Sequence, residues 1–168
     1  METIEQSLVL LKPDALERGL VGEILQRFER VGLKIVGMKL LQPTEGHASK
    51  HYTEDLAIRR GEHVRNAMID MLISGPVVAI VLEGIEAVEL VRKMIGGTEP
   101  KSSAPGTIRG DYAHVSFKHV DSSESNKLYN LIHGSATVEE AKTEIAVWFT
   151  PEELVQHEPS YTKHTLNK

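Results

Sequence analysis

Val77-Val78-Ala79-Ile80-Val81-Leu82 decides how the rest of the chain must be arranged. It is apolar at every position, rich in β-branched residues and set off by the turn-forming Ser74-Gly75-Pro76. A run this short reads as a strand, and without polar alternation it is expected to be buried on both faces. Such a strand lies inside a sheet, with cover above and below.

Working outward, Ser7-Leu8-Val9-Leu10-Leu11 is a second short apolar run, stopped by Lys12-Pro13-Asp14. Residues 33–40 form a third strand, ended by Pro43, and His114-Val115-Ser116-Phe117 a fourth. Between them lie helical patterns. Val21, Ile24, Leu25 and Phe28 make a stripe over residues 20–31, with Gly32 as its stop. Thr44 caps a helix to about Tyr52, with Glu45 in its first turn. Residues 54–73 are charged and helical in period, with a break or bend at Gly61. Residues 84–95, 122–131 and 138–148 supply three more helices, and the tail after Pro151 is irregular apart from a turn at 152–155. The order β-α-β-α-α-β-α-loop-β-α-α predicts an α+β fold, a ferredoxin-like α/β sandwich on one four-stranded antiparallel sheet. At 168 residues, 1–168 is expected to be a single domain.

Composition narrows the function. A net charge of -5 argues against general nucleic-acid affinity, although a local basic cleft can still bind phosphate. The absence of cysteine excludes disulfides, thiol catalysis and Cys-based zinc. No signal-peptide pattern and no bilayer-length apolar run occur, so a cytoplasmic protein is expected.

The chemistry points to Asn130-Leu131-Ile132-His133-Gly134-Ser135. His133 falls between the polar run 121–126 and the helix at 138–148, a junction that leaves one side of the imidazole open. Such a ring can accept a phosphoryl group, shuttle a proton or bind a metal. Lys12, Arg92, Thr98 and Arg109 fall at or near element ends, and Gly96 to Gly106 is a long Gly/Pro/Ser loop. One Lys, two Arg and a Thr suit a multiply charged phosphate, Arg gripping by its fork and Lys by point charge. Neither a Walker loop nor a Gly-x-Gly-x-x-Gly turn accompanies them. His47 and His51, four apart on one helix, could face a common metal, with His63 and Glu62 as further ligands.

Lys12-Pro13-Asp14, residues 18–24 (RGLVGEI), residues 74–78 (SGPVV), residues 105–111 (PGTIRGD) and Asn130-x-x-His133-Gly134-Ser135 together resemble the nucleoside diphosphate kinases, in that family's order. The resemblance spans about residues 3–155. It implies a ferredoxin-like core, a homo-oligomer of six or four subunits, and transfer of the γ-phosphoryl of ATP or another triphosphate to a nucleoside diphosphate. The route implied is ping-pong, through a phosphohistidine at His133. By the same resemblance Lys12, Tyr52, Arg92, Thr98 and Arg109 hold the phosphates, and Lys12 and Asn130 also contact the sugar. Glu144 bonds the far nitrogen of the catalytic ring, Ser135 and Glu54 line the pocket, and Mg2+ rides on the nucleotide rather than on protein side chains. Membrane and specific nucleic-acid partners are not implied.

The chain departs from the family at three places. Ala136 stands where Asp is usual, so altered local hydrogen bonding is expected. The stretch between Tyr52 and Ser74 is longer and lacks the base-stacking Phe; Val64 falls near that position, with less stacking area. The segment from Val115 to Asn130 is also longer.

Overall fold

The computed structural model describes residues 4–124 and 127–166. In chain order the elements are β1 (Ile4–Leu11), α1 (Pro13–Glu17), α2 (Val21–Arg30), β2 (Lys34–Leu41), α3 (Glu45–His51), α4 (Glu54–Arg60) and α5 (Glu62–Ile73). Then come β3 (Val77–Ile85), α6 (Ala87–Ile95), α7 (Ile108–Tyr112), α8 (Phe117–Asp121), β4 (Ile132–Gly134), α9 (Val138–Trp148) and α10 (Thr162–Thr165). Short 3-10 turns lie at Pro100–Ser102 and Pro151–Glu153. The sheet order is β2-β3-β1-β4 and every neighbouring pair is antiparallel, the ferredoxin-like α+β sandwich.

Val77 to Leu82 lies in β3 with a strand on each side, as its unbroken apolar character requires. Its side chains alternate between two cores. Val78, Ile80 and Leu82 pack with Val9, Leu11, Ile24, Phe28 and Val91 on one face. Val77, Ala79 and Val81 pack with Leu8, Leu10, Ala48, Leu72, Ile145 and Trp148 on the other. Each fully buried Leu or Ile contributes roughly 1.5–3 kcal/mol of transfer free energy, so the two faces anchor the sheet independently.

Local chemistry fixes the joints. Pro13 at the start of α1 ends β1 and leaves Lys12 as the residue before the helix. Gly61, at φ 99, takes a backbone conformation other residues resist and divides the charged helical stretch into α4 and α5. Helix α6 begins three residues later than the pattern predicts. Gly84 and Ile85 remain paired with Glu5 and Ile4, and the chain turns only at Glu86, at φ 47.

The fourth strand is not where the sequence pattern puts it. Residues 114–117 form no strand; Ser116 accepts a hydrogen bond from the His119 amide at 3.2 Å and opens helix α8 instead. The edge position is taken by β4, three residues long, pairing Leu11 with Ile132, Leu10 with His133 and Val9 with Gly134. The helix expected at 122–131 is also absent among the described residues, and Ser125 and Asn126 of that stretch lie outside them. Leu131, at φ 70, could not continue a helix in any case. Gly134 is explained by space: a Cβ there would come within 2.7 Å of Ile95 and 3.0 Å of Val91.

Candidate functional site

His133 sits on a strand rather than in a loop, and that decides its direction. Residues directly opposite in an antiparallel pair point to the same face. Leu10, its partner, faces the core lined by α3, α5 and α9, so His133 points there too. Lys12 lies two residues beyond Leu10 in extended backbone and shares that side.

Helix α9 brings Glu144 to the ring. Glu144 Oε1 lies 2.9 Å from His133 Nε2, and Ser135 Oγ donates to Glu144 Oε2 at 2.5 Å. Burial pushes the Glu144 carboxyl up, but hydrogen bonds and charge from His133, His51 and Ser135 outweigh it and hold it below the usual carboxylate range. An ionised carboxylate only accepts, so Nε2 carries the proton and Nδ1 keeps its lone pair. The ring is 22% exposed. Ser135 is tied down in turn: Leu8 N donates to its Oγ at 3.3 Å and its own amide to Leu8 O at 3.2 Å. Ala136, where the family usually has Asp, leaves its amide to Glu140 Oε2 at 3.1 Å.

The turn before His133 is strained and braced. Ile132 N donates to Asn130 O at 2.8 Å, closing a three-residue turn around Leu131 at φ 70. A non-glycine residue there costs on the order of 1–3 kcal/mol. Asp14 Oδ2 accepts from Leu131 N at 2.9 Å and Lys12 N donates to Leu131 O at 2.8 Å, so both sides of the strained peptide are held.

The cations gather around this turn. Lys12 Nζ donates to Asn130 Oδ1 at 2.6 Å, and Asn130 Nδ2 donates to the Thr98 carbonyl at 2.8 Å. Arg109 donates to the carbonyls of Asn130, Gly96, Gly97 and Ile132 at 3.2, 3.2, 3.0 and 2.5 Å. Burial, then the charge of Arg109, lowers the Lys12 ammonium to about 7. Burial, then Arg92, lowers the Arg109 guanidinium to about 10. Lys12 therefore feels the charge of Arg109, and Arg109 that of Arg92. Arg92 and Thr98 are exposed at the rim, whereas Tyr52 is buried, its hydroxyl unpartnered among the described residues and its ionisation disfavoured by burial and by Glu144.

The other expected residues are placed differently. Val64 lies in the first turn of α5, half-buried, next to Arg65, whose Nε donates to Tyr52 O at 2.8 Å. Glu54 is exposed and pairs with Arg65 at 3.2 Å. His47 does not share a metal with His51: its ring joins Thr44 in capping α3 and stacks on Trp148. Sequence reasoning paired His51 with His47 for a metal and missed its contact with His133, edge-to-face at 4.4 Å. No spacing signalled it, because its burial comes from α9.

A carboxylate-steered imidazole near buried cations, on this fold, is an arrangement suited to phosphoryl transfer. The nucleoside diphosphate kinase profile matches residues 5–154. A nucleoside diphosphate kinase from Borreliella burgdorferi is 43% identical, with 92% of each chain aligned. One from Pyrococcus furiosus is 47% identical over 94% of this chain and 90% of its own. Among solved structures, a transition-state mimic of the Borrelia burgdorferi enzyme with bound vanadate and ADP superposes with a TM-score of 0.94 and 41% identity, over 98% of both chains. A halophilic kinase from Halobacterium salinarum in complex with CDP gives 0.81 and 37%, over 96% of this chain and 97% of that one. The chain belongs to the nucleoside diphosphate kinase family.

Proposed function

We propose that this nucleoside diphosphate kinase works by carrying the phosphoryl group on His133 Nδ1. The observation that carries the reading is the 2.9 Å bond between Nε2 and Glu144, which leaves Nδ1 as the nucleophile. The Nδ1 lone pair forms a bond to the γ-phosphorus of a triphosphate. The bond from that phosphorus to the β–γ bridging oxygen breaks, and the diphosphate departs with the electron pair. The positive charge left on the ring is balanced by Glu144. A second diphosphate then attacks through a terminal oxygen, the P–N bond breaks, and Nδ1 regains its lone pair. Positioning and charge neutralisation lower the barrier.

In this reading Lys12, Tyr52, Arg92, Thr98 and Arg109 hold phosphate oxygens, Lys12 and Asn130 also contact the sugar, and Ser135 orients Glu144. Val64 stands at the base. Mg2+ arrives as part of the nucleotide substrate. Glu144 is engaged by His133 and Ser135, and Asp14 by Leu131, so neither completes a carboxylate cage.

We further infer one domain over residues 1–168, a homo-oligomer of six or four subunits, and a cytoplasmic enzyme that maintains triphosphate pools, without membrane or specific nucleic-acid partners. The edge strand β2 exposes Met38 and Leu40 at 54% and 67%, a surface suited to a second copy. Among the described residues no helix is long and apolar enough to cross a membrane.

Incubation with γ-labelled ATP alone is expected to label the protein with an acid-labile, base-stable phosphate, and His133→Ala to abolish it. Steady-state rates with two nucleotides should give parallel double-reciprocal lines. Labelling that survives His133→Ala would remove His133 as nucleophile.

A further inference from the structure

His51, the last residue of α3, has a fully buried side chain and none of the roles assigned above. Its ring meets His133 edge-to-face, with centroids 4.4 Å apart and planes at 85°. It meets Tyr52 at 4.7 Å and Trp148 at 5.8 Å, also edge-to-face. Trp148 Nε1 donates to His51 Nδ1 at 3.4 Å, and that same Nδ1 lies 3.7 Å from Glu144 Oε1, the oxygen His133 uses.

We propose that His51 is a positioning residue for phosphoryl transfer, its ring setting the plane of His133 and its Nδ1 tying that plane to the indole of Trp148. The inference rests on His133 being the nucleophile. An imidazole lone pair lies in the ring plane, so tilting the ring swings Nδ1 away from the line of attack. The Glu144 bond fixes one point of the ring, Nε2, and leaves rocking about that point. A second ring packed at nearly a right angle opposes the rocking. Misplacing a reacting atom by about 1 Å can cost on the order of 100-fold in rate.

The bland alternative is a histidine that only fills space. Its ring nitrogens argue against that. Nδ1 accepts the hydrogen bond from the indole N–H, so the neutral ring carries its own proton on Nε2, which is buried without a hydrogen-bond partner among the described residues. A phenylalanine or leucine would fill the space without that unsatisfied donor. The charge state fits as well. Burial, then His133, lowers the His51 imidazole to about 3, with Lys12 acting the same way and Glu144 opposing. An uncharged His51 leaves the carboxylate to His133; a charged one would compete for it.

The test separates ring from hydrogen bond. His51→Asn places an amide oxygen near Nδ1 but removes the ring; His51→Phe keeps a ring and removes the nitrogens. Three quantities are read: the single-turnover rate of His133 phosphorylation by ATP, nucleotide Kd, and the 15N shifts of His133. His51→Asn should slow phosphorylation at least tenfold with Kd within twofold, and with His133 shifts displaced towards mixed tautomers. His51→Phe, which keeps a ring but leaves it untied to Trp148, should phosphorylate at least threefold faster than His51→Asn and at least threefold slower than the parent; the full parent rate would remove the tie to Trp148. His51→Leu, which needs no hydrogen bond, must show the same tenfold loss and covers the case in which His51→Asn fails to fold. The proposal is overturned if a ringless variant phosphorylates within threefold of the parent, or if rate, nucleotide affinity and thermal stability fall together in all three. Failure of the underlying reading is separate: it appears as labelling that persists in His133→Ala.

Discussion

Burial leaves Lys12 with an ammonium lowered to about 7, so the proposed contact of Lys12 with nucleotide phosphate predicts a proton-linked binding event. In the free protein at pH 8 about a tenth of Lys12 is charged. A polyphosphate beside Nζ favours the charged form, so binding should draw in about 0.9 of a proton at pH 8 and about half at pH 7. The nucleotide affinity should accordingly weaken with pH, approaching about tenfold per unit above pH 8. The sign for folding runs the opposite way. The unfolded lysine binds its proton up to the ordinary lysine value of 10.5 and the folded one only to about 7, so stability rises with pH between those values. The full span is worth roughly 5 kcal/mol. Arg109, lowered to about 10, enters only at the top of this window, so pH 7 to 9 reports Lys12. The assay is calorimetric titration with a nucleoside diphosphate, which cannot donate to His133, in buffers of differing ionisation enthalpy. Work above pH 7.5 keeps the phosphate itself ionised. Lys12→Met should bind more weakly and lose the uptake. Uptake that is absent at pH 8, or that persists in Lys12→Met, refutes the assignment.

Arg109→Lys keeps the charge but cannot reproduce four bonds to backbone carbonyls, so it should lose about 2–4 kcal/mol in urea unfolding as well as activity. An unchanged midpoint would reduce Arg109 to a phosphate contact alone. Met38→Lys places a charge on the apolar edge of β2 and should shift sedimentation towards smaller species while labelling of His133 survives; an unshifted profile would move the subunit contact elsewhere.

What could be read from the sequence was what local rules decide. Val77 to Leu82 had to be an inner strand because nothing polar alternates through it, and Gly61 had to interrupt a helix. Lys12 had to follow a strand because Pro13 stops it. What could not be read depends on partners far along the chain. Ile132-His133-Gly134 is too short to show a period, and it becomes a strand only through bonds to Val9, Leu10 and Leu11. Residues 114–117 look more strand-like by composition, yet the Ser116 side chain turns them into a helix. Arg109 reads as a free phosphate ligand, but its donors are engaged by loop carbonyls. His51 reads as one of a pair with His47, because the Trp148 that separates their roles lies nearly a hundred positions away.

These distant bonds also explain why the reactive ring is held so firmly on so small an element. The β4 strand has one neighbour, β1, and only three paired positions. A segment so thinly paired would ordinarily fray. It is held by the turn before it. Asp14 and Lys12 fix the two sides of the Leu131 peptide, Asn130 links Lys12 to the Thr98 backbone, and Arg109 joins Asn130 to Ile132. The backbone strain at Leu131, about 1–3 kcal/mol, is offset by a buried bond to a carboxylate worth about 1.5–3 kcal/mol. Lys12, Arg109 and Asn130, which are proposed to contact nucleotide, thus also brace the turn before His133. Lys12 and Arg109 are thereby tied to the turn that precedes His133 through bonds of 2.6, 3.2 and 2.5 Å, and neither can drift from it without breaking them.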